Sequence, residues 1–375
     1  MLNHAPVAPV PAAPPGPVAA ACHVAALAYE LAPARDCDGC VLDREVASLA
    51  VEGLLHAPLP ARLGGTGLGM DSATAPAMRD VLRIIGGGSL SLGRLYEGHV
   101  NAVRLVTRFG TAAQLQLLAN EAAAGRLSAV WNAQTGLGVT LADRRLAGSK
   151  IYTSGTGMVR RPLLTAGTPQ GVLMLLADVQ AARNDLSSWT PLGMRASLTG
   201  SVDFTGIAVG DAEIVGEAGD YYCSPHFAGG AWRVLAVQLG SIERLVSLYR
   251  SQMVDRNRTE DPVQRARFGE AVAALETARL WTAGAAAIAE DARRPGDEID
   301  AFVNLARHGF ERAALDVIER VQRGIGLSTM LRPNPIERIV RDLATYLRQP
   351  FPDAALDSAA IWALAERPMH RDIGE

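Results

Sequence analysis

The chain has 375 residues, enough for two or three hydrophobic cores, because a single core stops growing at roughly 250 to 300 residues. Its 36 basic and 39 acidic residues give a net charge of -3, which excludes the basic surface of a nucleic-acid-binding or anionic-lipid-binding protein. No apolar run approaches the ~20 residues that cross a bilayer, so we expect a cytoplasmic protein without a membrane span.

The first segment, residues 1–21, is rich in proline and alanine. Its first twenty residues include six prolines and no Lys or Arg. A secretory signal needs a basic start and an unbroken apolar stretch, and proline prevents that stretch here. The composition is typical of a disordered tail.

The cysteines are too few and too scattered to form a disulfide framework in a chain of this size. They are Cys22, Cys37, Cys40 and Cys223. The stretch "CDGC" is a single CxxC pair without a second one. A metal or redox role, assisted by His23 and His56, is one interpretation; two thiols in a loop is the other, and it is favoured.

Residues 22–126 have a helical pattern rich in alanine. Apolar residues from Val46 to Leu55 form the stripe of an amphipathic helix that ends at Pro58. The glycine-rich stretch "ARLGGTGLGMD" follows it. No strand precedes these glycines, so they indicate a turn between helices rather than a dinucleotide-binding loop.

Residues 127–216 have the period of strands. Short apolar runs alternate with Gly, Pro, Asp and Asn, as in a small antiparallel barrel or sandwich. The stretch from Trp189 to Gly210 starts with turn residues and continues as a strand that places Val202 and Phe204 on one face. The loop before this strand is either a plain hairpin end or the edge of a ligand site.

Residues 217–375 return to a helical pattern. One apolar stripe runs through a long helix and consists of Leu235, Leu239, Ile242, Val246, Tyr249 and Met253. Further helices are predicted at 266–291, 299–324 and 335–348. The sequence thus predicts an α+β multidomain protein with an N-terminal helical domain, a central antiparallel β domain and a C-terminal four-helix bundle. A small-molecule site is expected between these domains.

Four stretches, in this order along the chain, resemble the acyl-CoA dehydrogenase family of flavoproteins. They are "PARLGGTGLG", "RRLAGSKIYTSG", "PLGMRASLTGSVDFTGIAV" and "NPIERIVRDL". The resemblance implies that the loop at 189–200 lines the ligand pocket. It also implies a noncovalent FAD between the β domain and the C-terminal bundle, partly enclosed by a neighbouring subunit. Reduced FMN or FAD as a co-substrate is the alternative.

The resemblance implies that two segments of the β domain contact the flavin. Tyr152, Thr153 and Ser154 occupy the place of the family's aromatic and hydroxyl residues, and Trp131 with Asn132 lies at the other segment. For Trp131 and Tyr152, ordinary packing in the β core is an equal alternative.

The family's arginine for the flavin pyrophosphate stands about sixteen residues after a helix glycine. Counted from Gly240, this position is Arg256, and Gln264 is the glutamine that follows it. The stretch "RARFG", with Arg265, copies the family's local pattern at a different distance and is the rival interpretation.

The sequence departs from the family at the catalytic base. Most members have a glutamate eight residues after the Asp of the RD pair, where this chain has Pro350. Proline cannot accept the α proton whose removal desaturation requires. A base that has moved, at Glu243, Asp353 or Asp357, would preserve the dehydrogenase activity on an acyl-CoA thioester that the family implies.

Two alternatives remain beside that dehydrogenase. Some branches of the superfamily are monooxygenases that use reduced flavin and oxygen, need no glutamate, and have a Ser-Gly pair such as Ser154 and Gly155. His99 and Ser154 are then the candidate catalytic donors. The other alternative is a noncatalytic acyl-binding or flavin-binding protein. The resemblance further implies a homodimer or homotetramer, with an electron-transfer or flavin-reductase partner and no metal.

Overall fold

The computed structural model describes residues 16–348 and 351–365, so residues 1–15 of the predicted tail and Pro350 lie outside the described residues. Five helices precede the strands: α1 (Pro17–Arg35), α2 (Asp43–Val51), α3 (Ala75–Gly88), α4 (Leu90–Phe109) and α5 (Ala112–Ala123). Five follow them: α6 (Trp232–Asp255), α7 (Pro262–Ala289), α8 (Gly296–Ile325), α9 (Pro335–Tyr346) and α10 (Pro352–Leu364). This order of helices, strands and helices confirms the predicted fold class.

Helix α1 begins earlier than the sequence predicts. Residues 17–21, assigned to the tail, form its first turn, because Pro17 at the start of the helix already has a helical φ. By length and composition alone, α1 is apolar enough to cross a membrane, a test that the core helix of a soluble protein also passes. Its alanine-rich face packs against α3, the arrangement of a core helix.

Helix α2 is shorter than predicted, because Gly53 adopts a positive φ of 73° and the chain turns there. Leu54 and Leu55 are still buried, but within the turns after the helix. The glycine-rich stretch at 61–71 then connects α2 to α3, as the sequence predicts.

The β region contains two small sheets. Their strands are β1 (Val130–Trp131), β2 (Thr140–Ala142), β3 (Arg145–Ala147), β4 (Ser149–Thr153), β5 (Leu163–Thr168), β6 (Gly171–Leu176), β7 (Arg183–Asp185), β8 (Gly200–Asp203) and β9 (Ile214–Val215). One sheet has the order β3-β2-β5-β6-β9 with β1 beside β5, and the other has the order β4-β8-β7. The pairs β1–β5 and β2–β5 are parallel, so the first sheet is mixed rather than purely antiparallel.

The predicted inward face of the 200–210 segment is confirmed. Val202 and Phe204 are both fully buried. The ring of Phe204 lies 6.2 Å from the ring of Trp131, centroid to centroid, which joins strand β1 to the end of β8 in one core.

The N-terminal and C-terminal helices meet where α3 crosses α6. A Cβ atom on Gly240 of α6 would overlap the carbonyl oxygen of Arg83, and one on Gly86 of α3 would overlap the carbonyl oxygen of Val237. The two backbones therefore approach more closely than any larger residue permits. This crossing fixes the position of α6 against the N-terminal helices.

We expect Gly240→Ala to lower the free energy of unfolding by about 1 to 3 kcal/mol, because the added methyl group forces the helices apart. Gly269→Ala is the matched control. Gly269 is exposed on α7 with open space around it, so alanine should stabilise its helix by about 0.5 to 1 kcal/mol. Thermal unfolding of both variants checks this, and equal midpoints would contradict the close crossing.

Candidate active site

Strands β1 and β4 bring the two predicted flavin segments together. Trp131 Nε1 donates a hydrogen bond to the carbonyl oxygen of Ser154 at 3.0 Å. Trp131 is buried against Phe204, so packing in the β core accounts for its ring.

Tyr152 is arranged differently from Trp131. Its side chain is 63% exposed, and its backbone has a φ of 54°, in the left-handed region that tyrosine seldom adopts. The register of β4 against β8 shifts between Lys150 and Thr153, which turns this residue outward. Packing in the β core therefore does not explain Tyr152, and its ring is free to stack on a planar ligand.

Ser154 carries a buried hydroxyl beside that exposed ring. Its Oγ accepts a hydrogen bond from Arg94 Nε at 3.2 Å and lies 3.0 Å from Thr199 Oγ1. Thr199 in turn lies 2.8 Å from Ser197 Oγ. A chain of hydroxyl groups thus connects Ser154 to the loop at 189–199.

The ion pair on α4 between the half-buried Arg94 and the buried Glu97 is not among the residues that the sequence predicts for the site. Arg94 donates to Glu97 Oε1, and Asn101 Nδ2 donates to Glu97 Oε2 at 2.6 Å. Burial alone lowers the pKa of Arg94, but Glu97 and Tyr346 outweigh it and raise that pKa above its ordinary value. Opposite charges three residues apart on an otherwise apolar helix face are the signal in "GRLYEGH" that could have revealed the pair.

A narrow cleft lies between α4 and the β region at this point. Its lining residues are Arg94, Leu95, Gly98, Ser128, Ala129, Val130, Trp131, Ser154 and Val159. Most of the lining is apolar, and its polar side chains are the Arg94 guanidinium and the Ser128 and Ser154 hydroxyls. The free volume of the cleft is about 10 Å³, roughly the space of one water molecule, so a larger ligand needs the walls to move apart.

The loop at 189–199 rests on α9, so the third and fourth family-like stretches meet. Met194 N donates to Asp342 Oδ1 at 2.7 Å, and Gly193 N donates to Thr345 Oγ1 at 3.1 Å. A Cβ on Gly193 would overlap the carbonyl oxygen of Arg341, so only glycine permits this contact. Burial raises the pKa of Asp342 to about 6. The loop is thus held against α9, and it reaches the candidate site through the contact between Thr199 and Ser154.

The structure corrects the interpretation of the CxxC pair. Gly39, at a φ of 73°, turns the chain so that Cys37 and Cys40 are joined in a disulfide rather than present as two thiols. Within the described residues, no group of three or more His, Cys, Asp and Glu side chains could hold a metal ion. His23, one of the two suggested helpers, instead pairs with Glu52 at 3.2 Å.

His99 is buried with both ring nitrogens in use. Its Nδ1 accepts from Ser128 N at 3.0 Å, and its Nε2 donates to the carbonyl oxygen of Leu55 at 2.9 Å. Burial lowers its pKa to about 4, so the ring is neutral at physiological pH. His99 joins α4 to two backbone segments and has no nitrogen left for a substrate, which removes it as a catalytic donor.

Asn132 and Thr153 are also engaged within the β region. Asn132 Oδ1 accepts from Thr165 Oγ1 at 2.6 Å and from the Tyr222 hydroxyl at 3.1 Å. Thr153 Oγ1 donates to the carbonyl oxygen of Gly200 at 2.8 Å. These two residues hold the strands that carry Tyr152 and Ser154.

Arg256 and Gln264 lie far from this cleft within one chain. Arg256 follows the C-terminal end of α6, about 35 Å along the helix from Arg233, which contacts Asn101 near the cleft. Its guanidinium donates to the carbonyl oxygen of Ile325 at 3.1 Å, and Gln264 Oε1 accepts from the Tyr249 hydroxyl at 2.9 Å.

Arg265, the rival candidate for the flavin pyrophosphate, and the three carboxylates suggested as replacement bases also lie away from the cleft. Arg265 forms an exposed ion pair with Glu260. Glu243 on α6 forms ion pairs with Arg83 of α3, at 2.7 Å, and with Arg279 of α7. Asp353 and Asp357 are exposed on α10. No contact connects any of these carboxylates to Ser154 or Tyr152 among the described residues.

The neutral state of His99 predicts a pH dependence. Because its folded pKa of about 4 is below the ordinary 6.5, the unfolded chain binds more protons between these values, and the contribution of His99 to stability falls as the pH falls. The free-energy difference between the wild type and His99→Gln should therefore shrink by up to about 3 kcal/mol from pH 7 to pH 4. Urea unfolding at several pH values measures this difference, with the exposed His308→Gln as the control. A constant difference would show that His99 is not buried as a neutral ring.

The Arg94–Glu97 pair predicts a strong asymmetry between single and double variants. Arg94→Met leaves the Glu97 charge buried without its cation, so we expect a loss of about 3 to 5 kcal/mol in the free energy of unfolding. The double variant Arg94→Met, Glu97→Met removes both charges and should recover most of that loss. Chemical denaturation of the wild type, Arg94→Met and the double variant provides the measurement. A double variant no more stable than Arg94→Met would refute the pairing.

Comparisons with known proteins agree with this geometry. Residues 234–348 match the family model for the C-terminal domain of acyl-CoA dehydrogenase. No curated protein sequence matches the chain. Dibenzothiophene monooxygenase TdsC from Paenibacillus sp. A11-2 is similar in structure, with 20% identity, a TM-score of 0.81 and coverage of 94% of this chain and 97% of the other.

Two further solved structures have the same fold. Butyryl-CoA dehydrogenase from Megasphaera elsdenii has 17% identity and a TM-score of 0.81 over 93% of this chain and 97% of its own. Methanesulfinate monooxygenase MsuC from Pseudomonas fluorescens has 20% identity and a TM-score of 0.80 over 94% of this chain and 98% of its own. The match over residues 234–348 and the shared fold therefore make this chain similar to acyl-CoA dehydrogenase and to monooxygenases with the acyl-CoA dehydrogenase-like fold.

Proposed function

We propose that this protein is a flavin-dependent monooxygenase that uses reduced FMN or FAD and molecular oxygen. The exposed Tyr152 ring and the buried Ser154 hydroxyl fit an isoalloxazine, which needs a flat wall and hydrogen-bond donors at its edge. TdsC, a monooxygenase of the same fold, has been solved with FMN bound. The flavin, when bound, supplies the electrons that activate oxygen.

The observation that carries this proposal is the donor pair formed by Arg94 and Ser154. Arg94 Nε donates to Ser154 Oγ, so the hydroxyl hydrogen of Ser154 is left for one other acceptor. In this structure that acceptor is Thr199 Oγ1, because Ser197 Oγ donates to the carbonyl oxygen of Met194 and Thr199 therefore donates to Ser197. A bound group with developing negative charge would draw this hydrogen away from Thr199, and a hydroxyl donor of this kind stabilises such charge in an apolar cleft.

Desaturation of an acyl-CoA thioester, the reaction that the family favours by resemblance, fits less well. It needs a carboxylate that is free to accept the α proton. Glu97 is a buried carboxylate of this region, and both of its oxygens already accept hydrogen bonds, from Arg94 and from Asn101, so neither is free to act as the base. Pro350 occupies the family's usual position for the base.

Arg94 also has a positioning role in the proposed site. Its guanidinium donates to both Glu97 and Ser154, which holds the Ser154 oxygen in place. Trp131 and Val159 are apolar walls of the cleft beside it. The substrate that fits these apolar walls is a small, uncharged organic molecule, oriented by the hydroxyl.

We further propose a homo-oligomer in which Arg256 and Gln264 act at the flavin site of a neighbouring copy. Their distance from Ser154 within one chain supports this arrangement. A flavin reductase would supply the reduced flavin in the cytoplasm. An electron-transfer partner of a dehydrogenase is the alternative.

Stopped-flow absorbance tests the proposal with the full-length protein. Reduced FMN or FAD is bound under anaerobic conditions and then mixed with oxygen. We expect Ser154→Ala to slow the oxidation of the bound flavin by about tenfold to a hundredfold, because the donor to developing negative charge is lost. Ser188→Ala, at an exposed serine of the β region, is the matched control and should react like the wild type.

The same preparation distinguishes the alternatives. Anaerobic bleaching of bound oxidised FAD by butyryl-CoA or a longer acyl-CoA would overturn the proposal in favour of a dehydrogenase. Absence of binding of either flavin, oxidised or reduced, would leave a noncatalytic acyl-binding role.

A further inference from the structure

The loop closed by the Cys37–Cys40 disulfide contacts the loop at 189–199 directly. Asp38 Oδ1 accepts from Arg195 Nε at 2.7 Å, and the carbonyl oxygen of Asp36 accepts from Arg195 Nη1 at 2.8 Å. Arg195 follows Met194, whose amide is bound by Asp342 on α9. The disulfide loop therefore covers one side of the segment that reaches Ser154 through Thr199.

The same loop also contacts α9. Asp36 Oδ2 accepts from Arg341 Nη2 at 2.6 Å, and Arg341 Nη1 donates to the carbonyl oxygen of Leu192 at 2.7 Å. Arg341 thus joins the disulfide loop to the loop at 189–199 from the side opposite Arg195. Arg195 and Arg341 therefore hold the two loops together. Their acidic partners, Asp36 and Asp38, lie on either side of Cys37 in the sequence.

The disulfide is accessible to a reductant. Cys37 and Cys40 are half-exposed, and Asp38 and Gly39 between them are exposed. The ring spans a sequence separation of 3, so it fixes the direction in which the Asp36 and Asp38 carboxylates point. When the disulfide is reduced, residues 37–40 regain backbone freedom, and the Asp36 and Asp38 carboxylates are held less firmly.

We propose that Cys37 and Cys40 form a site of reversible thiol–disulfide exchange that sets the rigidity of the loop at 189–199. A thiolate of a dithiol reductant attacks one sulfur, the Cys37–Cys40 bond breaks, and a mixed disulfide forms. The second thiol of the reductant then displaces the protein sulfur. The protein gains two electrons and two protons as two thiols, and the reductant becomes a disulfide.

Reduction loosens the clamp through the two aspartates. Asp36 and Asp38 are held on Arg341 and Arg195 in the closed ring, and each contact weakens when the ring opens. The oxidised form therefore has the firmer loop and the reduced form the looser one.

Thiol labelling and hydrogen exchange test this proposal independently of any activity. Alkylation of the native protein should modify two thiols, Cys22 and Cys223, and all 4 cysteines after dithiothreitol. Reduction should then speed amide exchange at Gly193 and Met194 by about fivefold, as expected for the loss of one partly buried ionic contact.

Variants separate the disulfide from general effects of reductant. Cys37→Ser, Cys40→Ser should show the faster exchange at once and no response to dithiothreitol. Cys22→Ser, Cys223→Ser is the matched control and should respond like the wild type, since both residues are exposed and free. Asp38→Asn keeps the disulfide and should weaken the response, because its contact with Arg195 loses its charge.

Two results would overturn the proposal, and both come from the wild-type protein alone. One is labelling of all 4 cysteines before reduction, which would show that the disulfide is absent. The other is complete reduction with unchanged exchange at Gly193 and Met194. Neither result depends on whether the protein acts as a monooxygenase.

Discussion

The ion pair of Arg94 and Glu97 is the interaction on which the candidate site depends. A fully buried carboxylate is tolerated only when it is hydrogen-bonded on several sides. Glu97 meets that condition with Arg94 and Asn101, and the half-buried Arg94 also donates to the Ser154 hydroxyl. The position of Ser154 thus follows from the need to pair the Arg94 guanidinium, before any ligand is present.

This pair belongs to a larger polar network that joins the helical regions before and after the strands. Asn101 accepts from Arg233 on α6 at 3.3 Å, and Arg233 pairs with Glu290 at 2.8 Å. Arg104 on α4 also pairs with Glu290, at 2.6 Å. Because a half-satisfied network is costlier than an apolar core, the members are mutually dependent. The close crossing of α3 and α6 provides the geometry in which they meet.

Much of the fold could be predicted from periodicity, because apolar spacing directly reports which face of an element is buried. The stripe through Leu235 and the inward pair of Val202 and Phe204 are examples. The motif resemblance placed the loop at 189–200 at a ligand pocket, but its attachment to α9 was not predicted, because local patterns cannot reveal a contact between residues 148 positions apart. The early start of α1 was missed because a proline-rich composition also fits the first turn of a helix.

The site was harder to predict than the fold. The type and motif of a residue suggest its chemistry, but they do not show which groups it contacts in the folded chain. His99 resembles a proton donor in sequence, yet both its nitrogens are used by backbone groups. In the sequence, Arg94 has the pattern of a solvent-exposed charge on a helix, yet its side chain is half-buried at the cleft. Whether Tyr152 faces inward or outward depends on a register shift in β4 that no local pattern indicates.

The contacts around the loop at 189–199 also set when this part of the protein can form. Asp36 and Arg341 are separated by 305 residues, and Met194 and Asp342 by 148. Pairings of such long range are formed late, since the chain entropy of closing the loop must be overcome first. During synthesis, the β region emerges well before α9. The residues that line the cleft lie between Arg94 and Val159 and are therefore all synthesised before α9 can hold the loop at 189–199 in place.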